Sequence, residues 1–519
     1  MCGFIGIIAP AANTRTAFSA GLSAIKARGT TVDTLETGAE QYGYARLPTD
    51  DVANGALGRI GTGSEKLLFN GLITNVADLV RLFDLDVRVR QSDTQCLEAG
   101  LCRYGSGFLR HVRGMFAAAF ITDMQIMLLR DTVGIKPLYY AHKDGLFAFA
   151  SELKALRALD VAVHEVLPGQ IVVYDKQQQT LRKDTFRYES YRRYKAAQIE
   201  TCLRESVVGP TRRYLRSSKK PVALLLSGGV DSSINAALLV GALSASSRKR
   251  LVAFCVGEDD AADVRAAKQL ASVLELKFVQ VRPYAAEAAI RLLPVIVYKT
   301  ESPLTRVIKV ALLYDALAAA IQQHGIEVAV GGEGADELFF GYQRFIEGLT
   351  YGQSEQLFSI FFQRIFPYTL LQRYDRVMAR RQIEGRVPYL DQELIQLASR
   401  IPPNAKIKHV PSGHVAKLPL RDVARRLGLP AYIYERGKEK MTAGATGREN
   451  SDARHGYLER EALAMTGRSF RQLAEEYYRQ QFGSMLVRND GYYTEEEAMG
   501  LAARYKADNA VKSMKAGAV

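Results

Sequence analysis

Several signatures that would place this chain at once are missing from it. The five cysteines (Cys2, Cys96, Cys102, Cys202, Cys255) include no C-x-x-C pair. That argues against a thiolate metal site and a disulfide framework, and it suits a reducing cytoplasm. The seven histidines form no H-x-x-x-H cluster, so a zinc centre is not expected. No apolar run approaches the roughly 18 residues needed to cross a bilayer. The first apolar stretch is too short, and lacks the basic flank, for a secretory signal. Repeats with a period of roughly 20–50 residues are absent, as is the G-x-x-x-x-G-K-[ST] loop of γ-phosphate transfer.

Charge is abundant and unbalanced. The net +14 invites a nucleic-acid reading, and basic residues do gather at Arg187–Lys195, Ser246–Arg250 and Met378–Gln382. Acidic residues are interspersed, however, and no RNA- or DNA-binding module is visible. A solvated basic surface that attracts nucleotide and acidic substrates is the better account, with no nucleic-acid or membrane partner. At 519 residues, nearly half of them apolar, the chain has room for two or more domains with large cores.

Among what is present, LLLSGGVDSS (Leu224–Ser233) says most. The apolar run 222–226 predicts a buried parallel strand, and a helix-compatible run opens at Ser232. The glycines between them let backbone N–H groups approach phosphates at a helix N-terminus. No lysine sits in the loop, so it is not the loop of γ-phosphate transfer. It resembles the PP-loop of the ATP pyrophosphatases, which implies cleavage between the α- and β-phosphates and Asp231 as a Mg²⁺ ligand. At the other end, MCGFIGIIAP puts Cys2 beside a strand-like run, Phe4–Ala9. Removal of Met1 would give Cys2 a thiol and an α-amine that titrates near neutrality and can accept the thiol proton. FNGLITN (Phe69–Asn75) places Asn70 and Gly71 after a short strand, a carboxamide and an N–H suited to an oxyanion hole. Arg46 offers a fork for a carboxylate and Asp93 a counter-charge for an ammonium.

Together these motifs resemble the glutamine-dependent asparagine synthetases. The resemblance runs from Cys2 to about Arg448 and includes the stretches FAAAFITD, LLRDTVGIKPLYY and FAFASELKAL between Phe116 and Leu156. It implies an N-terminal Ntn-type αββα glutaminase sandwich over 1–185. Over 199–519 it implies a PP-loop α/β domain, a parallel sheet with a largely helical C-terminal part. By that resemblance Cys2 attacks glutamine, Asn70 and Gly71 hold the oxyanion, and Arg46 and Asp93 hold the substrate's two ends. Leu226 and Val256 grip adenosine. Ser227, Gly228, Gly229, Asp231 and Ser232 cradle pyrophosphate. GGEGADELFFGY (Gly331–Tyr342) supplies Gly331 and Gly332 to ATP, Glu333 near adenylate formation, and Asp336 as a second metal ligand. EGRVPYLD (Glu384–Asp391) and RGKEK, with Lys438 facing the developing charge, complete the series. The implied partners are glutamine, ATP with Mg²⁺ and a carboxylic acid, in a cytoplasmic enzyme that could form a homodimer.

Three departures bear on the substrate. The family's RGPD appears only as RGTTVD (Arg28–Asp33), in a short N-terminal half. Leu72 stands where relatives carry glutamate. Counting back from GGEG, the acceptor-pocket positions are Arg306, Val307 and Lys309, and lysine for arginine gives up bidentate carboxylate recognition. The acceptor is therefore aspartate or another small carboxylic acid. An intramolecular amide former like β-lactam synthetase, a lasso-peptide-type cyclase and a non-catalytic sensor of ATP or glutamine remain as alternatives. The Gly-, Asn- and Ser-rich segment 443–456 is expected as a loop, either mobile over the site or disordered.

Overall fold

The computed structural model describes residues 2–9, 14–49, 64–86, 88, 92–190, 198–341, 366–410, 413–437, 451–483 and 485. In the N-terminal half, short alternating and apolar runs form antiparallel strands: β1 (Gly3–Ile8), β2 (Thr31–Thr37), β3 (Glu40–Arg46), β4 (Lys66–Ile73), β5 (Gly114–Ile121), β6 (Gln125–Arg130), β7 (Tyr139–Lys143), β8 (Leu146–Ala150), β9 (His164–Glu165), β10 (Gln170–Asp175) and β11 (Thr180–Thr185). One sheet runs β2-β3-β1-β8-β7-β9 and the other β11-β10-β6-β5-β4. Their facing sides enclose a core that includes Phe4, Tyr42, Leu68, Phe147 and Tyr174. Helix α1 (Arg15–Ile25) covers the first sheet through Phe18 and Ile25. Helices α2 (Val76–Leu82) and α3 (Asp93–Tyr104) cover the second through Leu79, Leu97 and Leu101. The result is a helix–sheet–sheet–helix sandwich, the arrangement the resemblance implies.

In the C-terminal half the apolar runs become parallel strands: β12 (Val222–Leu225), β13 (Leu251–Val256), β14 (Lys277–Val281), β15 (Val328–Val330) and β16 (Glu384–Arg386), ordered β14-β13-β12-β15-β16. Helices α4 (Ile199–Ser217), α5 (Val230–Ala242), α6 (Ala245–Arg248), α7 (Ala262–Val273), α8 (Ala286–Thr300) and α9 (Thr305–Gln323) precede or link these strands. Strand order reverses between β12 and β15, and a crevice opens beyond the C-terminal ends of strands at such a switch point. The loop after β12 and the loop after β15 therefore face one another. A four-residue helix α10 (Ala335–Leu338) follows the second loop, and α11 (Gln372–Ala379) leads into β16. One expectation needs correcting: the backbone from Ser451 is helical (Ser451–Thr466), so the predicted loop is shorter than its composition suggested. Ser and Asp favour helix starts as much as loops, and composition cannot separate the two. Residues 443–450 lie outside the described set.

Buried polar contacts join the halves. Arg113 forks onto Asp391 at 2.8 Å, both almost fully buried. The Gln392 carboxamide exchanges hydrogen bonds with the N–H and C=O of Gly114 at 2.9 and 2.8 Å. Thr49 donates to Glu384 at 2.7 Å, and Tyr188 to Glu393 at 2.6 Å. EGRVPYLD and the two residues after it thus act as a clasp between the halves. Burial pushes the carboxyl groups of Glu152 and Glu384 up, but Lys154 and Arg28 for the first and Arg386 for the second outweigh it and hold both at about 2. Their folded values lie below the unfolded ones, so this stabilisation is complete above about pH 4.5 and is lost as pH falls toward 2. Denaturant midpoints are therefore expected to hold steady from pH 7 to 5 and to drop steeply between pH 4.5 and 3. A flat profile across that window would contradict this account.

Candidate active sites

The first candidate site lies where β1 meets the open edge of β4. Cys2 immediately precedes β1 and is 9% exposed. Its N–H donates to Asn70 Oδ1 at 3.0 Å, and its Sγ lies 4.0 Å from the carbonyl oxygen of Leu47. Asn70 is fully buried, and its Nδ2 has no hydrogen-bond partner among the described residues. An orphaned buried donor is costly, so it marks a place where an acceptor belongs.

Asn70 and Gly71 sit within β4, rather than after a strand as the sequence suggests, and the pairing shows why that serves them. Phe116, opposite Gly71, uses both its N–H and its C=O on Asp131 at the far side. Gly71 therefore belongs to a non-hydrogen-bonded pair, and its N–H turns to the open edge. Phe69 and Ile73 follow the same parity: Tyr44 donates to the Phe69 carbonyl at 2.6 Å, and Ile73 N–H donates to Asp93 Oδ2 at 3.0 Å. A Cβ on Gly71 would lie 2.3 Å from the Met115 carbonyl oxygen, so the close strand approach demands glycine. Arg46 ends β3 and Asp93 opens α3, both buried. Leu72 is buried against the core of the other half, in the cluster that holds Leu47, Met115 and Ile135.

Arg28 is a functional candidate whose role the sequence does not disclose. It is wholly buried, and its Nε donates to the Cys2 carbonyl at 2.7 Å. A Cβ on Gly3 would press on the Arg28 stem at 2.8 Å, which accounts for the glycine after the cysteine.

The second site fills the crevice beyond β12 and β15, a cavity of about 200 Å³. Leu226, Ser227, Gly229, Asp231 and Ser232 line it, as does Val256 from the end of β13. Gly228 takes φ +68° and packs against Ala266, where any side chain would clash. Ser227 N–H donates to Ser232 Oγ at 3.2 Å, folding the loop back on the helix it starts. Helix α5, 13 residues long, points its first N–H groups into the crevice. From the facing loop, Gly332, Glu333 and Asp336 also line the cavity. Gly331 N–H donates to the Arg386 carbonyl and its own carbonyl accepts from Asn235, both at 2.9 Å. A Cβ on Gly332 would lie 3.3 Å from that of Asp231, so glycine lets the two loops meet.

Lys417 occupies the meeting point. Its Nζ contacts Asp231 Oδ2 and lies 2.6 Å from Asp336 Oδ1, and it is buried. Burial pushes its pKa down, but the two carboxylates outweigh this and hold it well above the usual lysine value. Two carboxylates gathered on one ammonium beside a helix start keep further oxygens for a cation, a donor set that would fit Mg²⁺ with phosphate. Arg436 adds positive charge at the rim, paired with Asp263 at 2.6 Å. The sequence identifies neither lysine nor arginine here, since only the fold brings residues 231, 336 and 417 together. Lys438 lies outside the described residues.

Across the cavity, Tyr314 of α9 donates its hydroxyl to Glu333 Oε1. Burial and the neighbouring Glu333 carboxylate push the phenol well above its ordinary range. Tyr374 packs edge-on behind it, ring centroids 5.2 Å apart at 77°. Arg306 and Lys309, in the first turns of the same helix, are not among the cavity's lining residues, and Lys309 Nζ sits 5.5 Å over the Phe470 ring. A narrow apolar cavity of about 30 Å³ lies between the two sites, lined by Leu72, Met115, Ile135, Val207, Val330 and Leu390 among others.

Comparison with known proteins agrees with this two-site plan. A family model described as a glutamine amidotransferase domain matches residues 1–215. One described as asparagine synthase matches 198–359 and 347–501. A probable glutamine-hydrolysing asparagine synthetase of Acanthamoeba polyphaga mimivirus is 26% identical over 78% of this chain and 77% of its own length. The glutamine-hydrolysing asparagine synthetase 2 of Arabidopsis thaliana is 27% identical over 66% of this chain, and the match covers 60% of the plant protein. Among solved structures, an allosteric regulatory enzyme of purine biosynthesis aligns with 55% of this chain and 82% of its own at 15% identity and a TM-score of 0.30, and nothing further rests on it. Because the asparagine synthase model alone spans more than half of its residues, the chain belongs to the asparagine synthase family.

Proposed function

We propose that this protein is a glutamine-hydrolysing, AMP-forming amide synthetase that activates a small carboxylic acid as its adenylate. The observation that carries the proposal is the Cys2–Asn70 pair: the carboxamide fixes the nucleophile's backbone with its oxygen and keeps its buried Nδ2 for an incoming acceptor. With Met1 removed, the Cys2 amine would take the thiol proton while sulfur attacks the glutamine amide carbon. Asn70 Nδ2 and Gly71 N–H would hold the oxyanion, and Arg46 and Asp93 the two ends of the amino acid. Loss of ammonia leaves a thioester, which water hydrolyses to glutamate.

In the crevice, an acceptor carboxylate oxygen attacks the α-phosphorus of ATP and pyrophosphate leaves. Ammonia then attacks the acyl carbon, and AMP leaves with the electron pair of the broken C–O bond. The glycine loops and the start of α5 bind the phosphates, and Lys417 faces the charge that gathers on pyrophosphate. Asp231 and Asp336 would hold Mg²⁺, which supplies charge neutralisation between phosphate oxygens when bound. Glu333 accepts the proton that the attacking nitrogen sheds. The apolar cavity between Leu72 and Val330 supports internal passage of ammonia, since a dry wall favours the neutral species.

One observation favours a second reading, an intramolecular amide former that uses an amine on the substrate itself. Channelled ammonia arrives neutral, whereas an alkylamine arrives as an ammonium and needs a base. Tyr314, hydrogen-bonded to the half-buried Glu333 on the cavity wall, would supply one for a proton beyond the single one that ammonia sheds.

Three outcomes are expected. Cys2→Ala should abolish glutamate release from glutamine while product formation with added ammonium continues, and loss of both would remove the thiol assignment. Asp231→Ala should stop pyrophosphate release, by at least about a hundredfold, and leave glutamine hydrolysis in place. Incubation of the wild type with Mg-ATP, glutamine and a pool of carboxylic acids should give a mass-spectrometric product lighter than one of the acids by the difference between OH and NH2, with AMP and not ADP formed. If no glutamate is released under any condition while a substrate loses water on ATP addition, the intramolecular reading replaces the first.

A further inference from the structure

We propose that Arg28 is a positioning residue for the Cys2 nucleophile and that Asp375, contributed by the C-terminal half, fixes its position. The thiol is then held in its attacking pose only when the two halves are docked. The inference rests on the proposed role of Cys2 and extends it to how one site depends on the other half of the molecule.

Arg28 divides its guanidinium among three segments. Nε donates to the Cys2 carbonyl at 2.7 Å, Nη1 to Glu152, and Nη2 to Asp375 Oδ2 at 2.8 Å. The group is planar, so pairing both Nη atoms dictates where the Nε–H points. Cys2 is therefore clamped at both ends of its backbone. Asn70 holds the N–H from within the same half, whereas the hold on the carbonyl depends on a carboxylate from α11. Lys136 gives Asp375 a second partner at 2.9 Å, and Asp375 is 2% exposed, so no water can stand in for it.

The same helix touches the other site. Consecutive helical residues project about 100° apart. Asp375 faces Arg28, while its neighbour Tyr374 packs on Tyr314, which in turn holds Glu333. A Cβ on Gly331 would lie 2.9 Å from the Tyr374 hydroxyl, so α11 also bears on the second phosphate-side loop. One turn of helix thus shows one side chain to each reaction centre.

A second buried link across the same junction provides the control. Tyr188 donates to Glu393 at 2.6 Å, and the pair shares no residue with Arg28, Glu152 or Asp375. In full-length protein freed of Met1, Cys2 labelling by a diazoketone analogue of glutamine would be followed by peptide mass spectrometry. Exposed Cys102, labelled with iodoacetamide, serves as internal reference. For Asp375→Asn, Cys2 labelling and the kcat of glutamate release should both fall about tenfold with KM for glutamine unchanged. Ammonium-supported pyrophosphate release should stay within about twofold, which shows that the fold survives. Glu393→Gln should leave Cys2 labelling at the wild-type rate. Equal losses in both variants, or undiminished labelling in Asp375→Asn, would reduce the pair to ordinary docking contacts and overturn the proposal. Should Asp375→Asn be insoluble, Arg28→Lys decides instead: it keeps the charge and loses the fork, and wild-type labelling in it refutes the claim. Absence of glutamate release from the wild type would count against the proposed function, and the ratio of Cys2 to Cys102 alkylation by iodoacetamide would still decide the positioning.

Discussion

Charges taken out of water must be matched, and at the junction of this molecule the matching partners come from different halves of the chain. Arg28, Lys136, Lys154 and Arg113 belong to the sandwich, and Asp375, Glu301 and Asp391 belong to the helices and turns beyond the parallel sheet. Removing one member of such a pair costs about 3–5 kcal/mol, because the other stays buried without compensation. Neither half can keep its present interior without the other. The rigid docking that follows fixes the distance and direction between the two candidate sites.

Within each half, the site sits where the fold leaves backbone groups unused. An edge strand has one row of N–H and C=O groups with no neighbour, and β4 turns that row toward Cys2, Tyr44 and Asp93. In the parallel sheet, the reversal of strand order leaves a gap between two loops, and the start of α5 adds unsatisfied N–H groups to it. The first arrangement suits an oxyanion, and the second suits phosphates. Both use glycine where a Cβ would stop two chains from approaching, at Gly71 on one side and Gly332 on the other.

The sequence carried much of this, unevenly. SGGVDSS announced its strand, turn and helix because glycine, serine and apolar periodicity act locally. Asn70 and Gly71 were legible as a donor pair, but their place inside β4 was not, since FNGLITN has no feature that distinguishes the end of a strand from its edge. Arg306 and Lys309 came from counting along the chain, and the helix they share presents Tyr314, not them, to the nucleotide-side cavity. Lys417 gave no local signal, because a lysine in HVAKLPLR is indistinguishable from a solvated one until two carboxylates close on it.

What the sequence determined by itself is the order of the elements and the chemistry available to them: a thiol near one end, an amide and glycine on a strand, a glycine-rich turn before a helix, and an acidic loop after the next core strand. These follow from period, turn chemistry and side-chain type, which need only near neighbours. The tertiary structure decided which charges meet. Asp231, Asp336 and Lys417 converge although up to 186 residues separate them, and Arg28 reaches Asp375 across 347. Electrostatic pairing depends on distance in space and on exclusion of water, and neither is encoded in separation along the chain.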